Sequence, residues 1–253
     1  MKTVLLLGDP VSRSLSPAMQ NAAFEALQID CRYQVRQVGG DGLAAAIEDI
    51  RADARIVGAN VTIPDKEAVI PLLEELEPLA RRIGAVNTIG RQGGSLKGWN
   101  TDVEGFRRAL AEVGKRRRYK RVAIIGAGGA ARAVAAALES TSEVWVIARN
   151  LDKAIGLCRD LDIERGGAVG IDQMRAAVEG ADLVVNATPA DLPPVFWLGP
   201  GQRLFDLRSR RSTEGRAMLL HQGAASFEIW TGKAAPLAVM RAALERAAEG
   251  VPA

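Results

Sequence analysis

Gly126-Ala127-Gly128-Gly129-Ala130-Ala131 constrains this chain more than any other stretch, because it lies directly between an apolar run at 122–125 and an alanine-rich segment reaching Leu138. The apolar run reads as a buried strand and the alanines as a helix. Glycines at the junction let the main chain pass close to a ligand, and the first turn of the helix offers N–H groups and a partial positive charge to an anion. Tight packing of strand against helix also selects glycine, so the loop has a purely structural reading; its place after a strand favours a dinucleotide pyrophosphate. An NAD site carries Asp or Glu about twenty residues further on, at the end of the next strand. Here that end reads Ala148-Arg149-Asn150. A guanidinium there pairs with a 2′-phosphate and stacks on adenine, which points to NADP, with Lys153 as the next basic candidate. The bland alternative is a solvated arginine beyond a strand end.

Strands and helices alternate along the rest of the 253 residues, a length that suits two compact units. Residues 4–7 form a strand ended by Gly8-Asp9-Pro10. Ser16 before Pro17 predicts an N-cap with proline at the first helical position, and Met19, Ala22, Ala23 and Leu27 share a face. A half-buried strand follows at 31–35, a helix on Leu43, Ala46, Ile47 and Ile50, a strand at 56–61, and a helix over 68–76 interrupted by Pro71 and Pro78. A linking helix is expected at 102–113, then the basic run Lys115-Arg116-Arg117-Arg118-Tyr119-Lys120-Arg121, read as a solvated loop. Further strands are expected at 144–148, 168–170, 183–186 and 204–207, and closing helices at 216–230 and 236–248. The alternation is that of an α/β protein with parallel crossovers. The expected domains are 1–101, with the C-terminal helix 236–253 packing back on it, and 102–235.

Composition removes several classes. Hydrophobic residues make up 48% and charged residues 25%, and the net charge is +3, a mild excess that suits an anionic small ligand and falls short of a nucleic-acid signature. No apolar run spans a bilayer and no leader is evident, so a cytoplasmic location without membrane partners is expected. Cys31 and Cys158 stand far apart, and with the single His221 they leave no metal site. Oligomeric state is open between monomer and homodimer.

Four further segments carry chemistry. Ser14-Leu15-Ser16-Pro17 places two hydroxyls where they converge on an anion at a helix start, although Ser16 also reads as a plain cap. Gly58-Ala59-Asn60-Val61-Thr62-Ile63-Pro64-Asp65-Lys66 puts polar Asn60 and Thr62 on one strand face ahead of a lysine. Gly84-Ala85-Val86-Asn87-Thr88 and Gly98-Trp99-Asn100-Thr101-Asp102 complete the set, ahead of the glycine loop. Together these segments resemble the shikimate dehydrogenase family, and the likeness continues through Asn186-Ala187-Thr188-Pro189, Gly215, Met218-Leu219, Gln222-Gly223, Phe227-Glu228 and Trp230-Thr231-Gly232.

The resemblance implies an N-terminal α/β substrate domain and a Rossmann-type NADP-binding domain, reducing 3-dehydroshikimate to shikimate. It implies a pocket of Ser14, Ser16, Asn60, Thr62, Asn87 and Gln222, with Lys66 and Asp102 as the catalytic pair. Lys66 would stabilise the alkoxide and donate the proton, and Asp102 would orient Lys66 and a substrate hydroxyl. Without the family pattern, Lys66 and Asp102 read as surface charges near helix starts, and Gln222 and His221 as ordinary helix positions. The cofactor set implied is Gly126, Ala127, Gly128, Gly129, Ala130, Arg149, Asn150, Lys153, Thr188, Leu207 and Gly215.

The chain also departs from the family. Asp65 stands before Lys66 where an apolar, aromatic or histidine residue is usual, and Ala190-Asp191-Leu192-Pro193-Pro194 replaces a glycine and methionine. Only five strands are counted in the second domain, so its last edge strand is expected to be missing, together with the tyrosine that follows the Asp206-Leu207 segment. Arg208 and Ser209 stand there instead. Two consequences are open: slow chemistry on shikimate, or recruitment of a different anionic substrate by Arg208 or Arg210. Quinate or an amino-shikimate as substrate, and an NADP(H)-binding protein without turnover, are the competing readings.

Overall fold

Strand β1 (Lys2–Gly8) forms because its apolar residues alternate between two cores: Leu5 and Leu7 face one, Val4 and Leu6 the other. The computed structural model describes residues 1–39, 42–114, 119–138, 142–192 and 198–250. It divides into two compact units, Met1–Thr101 with Leu219–Ala253, and Asp102–Met218. One break lies between Thr101 and Asp102. The second falls at Leu219 and not after residue 235, because the closing residues bury their apolar side chains in the first unit's core.

In the first unit β1 is followed by α1 (Ser16–Ala26), β2 (Cys31–Gln37), α2 (Gly42–Ala52), β3 (Ile56–Val61), β4 (Glu75–Leu76), α3 (Pro78–Ile83), β5 (Thr88–Gln92) and β6 (Ser95–Trp99). The sheet order is β2-β1-β3-β5-β6-β4. The expected parallel pairing holds for β2, β1 and β3, and for the short β4 against β6; β5 runs antiparallel to β3 and to β6. The β5–β6 reversal comes from a two-residue turn, Gly93-Gly94, with φ of 58° and 95°. Positive φ at both central positions matches the twist of the flanking strands and closes a hairpin.

The expected helix over 68–76 does not form. Pro71 lacks an N–H to continue a helical ladder, and the chain makes one 3-10 turn, Ile70–Leu72, before β4. Glu74 then accepts the Leu96 N–H at 2.7 Å, tying this segment to β6. Pro78 begins α3 instead of ending a helix: Glu77 caps it by accepting the Ala80 N–H at 3.1 Å, and Gly84 closes it at φ 68°.

The second unit runs α4 (Asp102–Gly114), β7 (Arg121–Ile125), α5 (Gly129–Leu138), β8 (Glu143–Ala148), α6 (Leu151–Asp160), β9 (Gly166–Gly170), α7 (Met174–Glu179), β10 (Leu183–Asn186) and β11 (Arg203–Asp206). Its sheet is wholly parallel, ordered β11-β10-β7-β8-β9. Among the described residues there are five strands and no sixth, as the count along the sequence expects. Lys115, Arg116, Arg117 and Arg118 lie outside the described residues, as do Pro193 and Pro194. The rest of the basic run is not a simple solvated loop, since Tyr119 is buried and Arg121 pairs with Glu143 at 3.5 Å.

Two long helices close the chain. Helix α8 (Thr213–Thr231) starts earlier than the expected residue 216 and passes from the second unit into the first at Leu219. Helix α9 (Leu237–Glu249) packs against α1, with Met240 and Leu244 joining Met19, Ala23 and Phe24 in one core. Residues 251–253 of the expected helix lie outside the described residues. No described helix is long and apolar enough to cross a membrane.

Candidate active site

The first unit gathers its polar residues where β1 and β3 end. Gly8 has φ 154°, and a Cβ there would meet Thr62 Cγ2 at 2.4 Å and the Ile63 carbonyl oxygen at 2.9 Å, so the loops after the two strands run in backbone contact. The Asp9 N–H donates to the Ile63 carbonyl at 3.0 Å, and the Thr62 N–H to that of Leu7 at 2.8 Å. The Lys66 carbonyl accepts from the Val86 N–H at 2.8 Å, which pins the lysine's backbone beside the segment that carries Asn87 into β5.

Ser16 is not the N-cap that its place before Pro17 suggests. Helix α1 already includes it, and the cap position falls on Leu15; the Ser14 hydroxyl accepts the Ser16 N–H at 3.2 Å from outside the helix. Ser16 is buried beside the Tyr33 hydroxyl. Burial pushes the Tyr33 phenol well above its ordinary pKa, and the contact with Ser16 opposes the shift.

From Tyr33 a continuous network runs through the unit. Tyr33 donates to Asn60 Oδ1 at 2.8 Å, and Asn60 Nδ2 donates to the Asn87 carbonyl at 3.0 Å and to the hydroxyls of Thr88 and Ser226, both at 3.1 Å. Asn87 Oδ1 accepts the Thr101 N–H at 2.8 Å, while its Nδ2 reaches Thr101 Oγ1 at 2.9 Å and Gln222 Oε1 at 3.2 Å. Gln222 is held in turn by the Leu219 carbonyl at 2.9 Å. The structure thus brings Asn60, Asn87 and Gln222 together, and Asn60 spends its polar atoms inside the network. Tyr33, Thr88, Thr101 and Ser226 belong to it without having been singled out. Thr88 and Thr101 end or interrupt segments already quoted, and Tyr33 is a polar atom on a buried strand face. Ser226 has a fainter signal, four residues after Gln222 on the same helix face.

Asp65 is buried, and its Oδ2 has no hydrogen-bond partner among the described residues. Burial raises its pKa above the ordinary carboxylate value, and the nearby Asp9 adds to the rise. Asp102, also buried, opens α4 and the second unit, and the preceding residue is the network's Thr101.

In the second unit Gly126 has φ 117°, and a Cβ there would press on the Ala187 carbonyl and Thr188 Cγ2, both at 3.1 Å. At Gly128 a Cβ would meet nothing within 4 Å, which leaves open space over the turn into α5. Arg149 and Lys153 are exposed beyond β8, at the same carboxyl end of the sheet as the turn. Asn150 caps α6 by accepting the Lys153 N–H at 3.1 Å. Thr188 is held by Asn186 Oδ1, which accepts its N–H at 3.1 Å and its hydroxyl at 2.8 Å. The Leu207 N–H donates to the Asn186 carbonyl at 3.0 Å. Gly215 is a close-packing position, because a Cβ there would lie 2.7 Å from the Arg208 carbonyl carbon. Open space over a glycine turn, a helix N-terminus and an exposed arginine in place of an acid fit an NADP-type dinucleotide. No group of three or more metal-ligating side chains occurs among the described residues.

The family models that match are the shikimate dehydrogenase substrate binding domain over residues 6–89, shikimate/quinate 5-dehydrogenase over 109–196, and the shikimate 5'-dehydrogenase C-terminal domain over 215–245. Shikimate dehydrogenase (NADP(+)) of Moorella thermoacetica is 43% identical, covering 96% of this chain and 92% of that protein. The chain belongs to the shikimate dehydrogenase family. Among solved structures, the family's Thermus thermophilus member in complex with NADP(H) and shikimate has a TM-score of 0.82 at 34% identity, covering 98% of this chain and 100% of the other. Quinate dehydrogenase from Corynebacterium glutamicum in complex with NAD has a TM-score of 0.84 at 26% identity, over 97% and 99%. The Moorella alignment spans 278 positions, more than the 253 residues of this chain, so that family member carries residues this one lacks.

The expected recruitment of an anionic substrate by Arg208 is not what its contacts support. Arg208 is committed to two carboxylates, with its Nη2 2.6 Å from Asp206 Oδ2 and its Nη1 on Asp191. Both hold its proton more firmly than usual, Asp206 most strongly.

Proposed function

We propose that this chain catalyses the NADP-dependent interconversion of 3-dehydroshikimate and shikimate, as its relatives' names state for them. The observation that carries the reading is that Asn60, Asn87 and Gln222, from segments far apart in sequence, meet in one buried network, within a chain 43% identical to an NADP-dependent relative. NADPH, when bound, supplies the hydride for the ketone carbon. The helix N-terminal amides beyond Gly126 hold its pyrophosphate, and Arg149 pairs with the 2′-phosphate, with Lys153 as an auxiliary. Ser14 and Ser16 hold the substrate carboxylate; Thr62, Asn87 and Gln222 fix its hydroxyls, and Asn60 sets the orientation of Asn87.

Reduction leaves an alkoxide, and the Lys66 ammonium stabilises that charge and passes it a proton, which the lysine recovers from solvent. Asp102 orients Lys66 and one substrate hydroxyl. We assign the first unit to substrate and the second to cofactor. The reading places the protein in the cytoplasm, on the route to aromatic amino acids, as a monomer or homodimer.

Quinate is the second substrate to test, because a quinate dehydrogenase shares the fold. Absorbance of the reduced nicotinamide separates the readings: NADP with shikimate should give the fastest turnover, ahead of quinate and of NAD. Faster turnover with quinate would reassign the substrate, and NADP binding without turnover would leave a binding protein only.

A further inference from the structure

In the second unit β11 is the sheet's edge strand, and the chain goes from its end into α8 with little intervening structure. One hydroxyl spans that connection: Ser212 Oγ donates to the Asp206 carbonyl and accepts the Gly215 N–H at 2.8 Å, joining the strand's last residue to the helix's first turn. Arg208 lies between them. Its Nε is 3.0 Å from both Asp206 oxygens, its own N–H donates to Asp206 Oδ1 at 3.0 Å, and Nη1 reaches across to Asp191. The Asp206 side chain is 9% exposed and that of Asp191 is 74% exposed, so the guanidinium neutralises an internal carboxylate on one side and holds an external one on the other.

The two carboxylates hold opposite ends of one loop, 187–191, Asp206 from β11 at its start through Asn186 and Asp191 at its end. At its start, Asn186 donates to Asp206 Oδ1 at 3.3 Å, and this fixes the amide so that its oxygen holds the Thr188 N–H and hydroxyl. Thr188 is the residue that would touch a Cβ at Gly126. At its end, Asp191 is drawn to Arg208, with Arg211 adding a second positive charge nearby. We propose that Arg208 is a positioning residue for the cofactor side of the reaction, gripping Asp206 and Asp191 so that loop 187–191 stays seated against the glycine turn. This role rests on the cofactor assignment made above.

The test uses the full chain, with NADPH binding followed by nicotinamide fluorescence and with steady-state kinetics on shikimate. Asp191→Asn leaves the Arg208–Asp206 pair intact and cuts only the loop's tether. It should raise the Kd for NADPH and the KM for NADP by about 2- to 5-fold, the span open to a partly exposed ion pair, with kcat, the KM for shikimate and Tm close to wild type. Arg208→Lys keeps the charge without the fork and should fall at or beyond that loss. The double variant should be no worse than Arg208→Lys alone, because both act through one clasp. Wild-type Kd and KM in Asp191→Asn would overturn the proposal, and so would a fall in kcat and Tm at unchanged KM, which marks a folding defect. A wild-type chain that binds no NADPH would remove the cofactor assignment and this role together.

Discussion

In the proposed mechanism Lys66 and Asp102 handle the proton, so Lys66→Ala and Asp102→Asn should each lower turnover by about 10²-fold or more while NADP affinity holds. Parallel measurement of kcat and of the cofactor Kd checks both, and turnover near wild type in either variant would remove that residue from the proton-handling role. Asp65, next to Lys66 in sequence, is a separate case. Its folded-state pKa is raised, so the folded chain binds that proton more tightly than the unfolded one. Its contribution to stability is therefore greatest below the unfolded pKa of about 4 and declines as pH rises through the folded value. Asp65→Asn should raise the urea midpoint at pH 7, and the gain should vanish in acid; a lower midpoint at pH 7 would mean the carboxylate has a partner when ionised. The motifs put Asn60 and Asn87 among the residues to watch, and both lie in the buried network, whose Tyr33 and Ser226 carry no such signal. Ser16 was misplaced because a serine before proline looks like a cap, whereas in the fold the cap position is Leu15, and Ser14, one residue further out, takes the Ser16 N–H.

Elements were legible wherever apolar period and glycine position agree, as in the five parallel strands and α5. They were misread where a local breaker changes direction: Gly93-Gly94 reverses the chain into a hairpin, and Pro71 leaves one turn where periodicity suggests a helix. One element depends on a residue from elsewhere. Arg91 donates from Nε to the Ile56 carbonyl at 2.9 Å, and from Nη2 to the Asp53 carbonyl at 2.9 Å and to that of Ile50, so a cation closes the C-terminal end of α2. Arg91→Ala should cost about 2 kcal/mol, read from urea unfolding, because charged donors leave those carbonyls together. A loss below about 0.5 kcal/mol would show that water replaces the guanidinium at little cost.

For the molecule as a whole, the absence of a sixth strand among the described residues of the second unit was legible as a shortfall of elements, whereas the clasp after β11 was not, because it joins residues 191, 206 and 208 across a turn. With less structure after β11, NADP should bind as in longer relatives while shikimate oxidation is slower. Side-by-side kinetics with the Moorella relative decides this, and equal turnover at similar substrate affinity would mean the segment is dispensable. The discontinuous first unit has a further consequence, for the order in which the protein is made. Val4, Leu6 and Phe24 are translated before the second unit, yet the side chains that cover them, Phe227, Met240 and Leu244, are translated after it. The second unit is complete in the nascent chain while the first still shows an oily flank, the state in which aggregation and chaperone capture occur. A fragment of residues 1–101 should accordingly be insoluble alone and become soluble when a peptide of residues 219–250 is co-expressed, and solubility of the fragment by itself would show that the flank folds without its late-born cover.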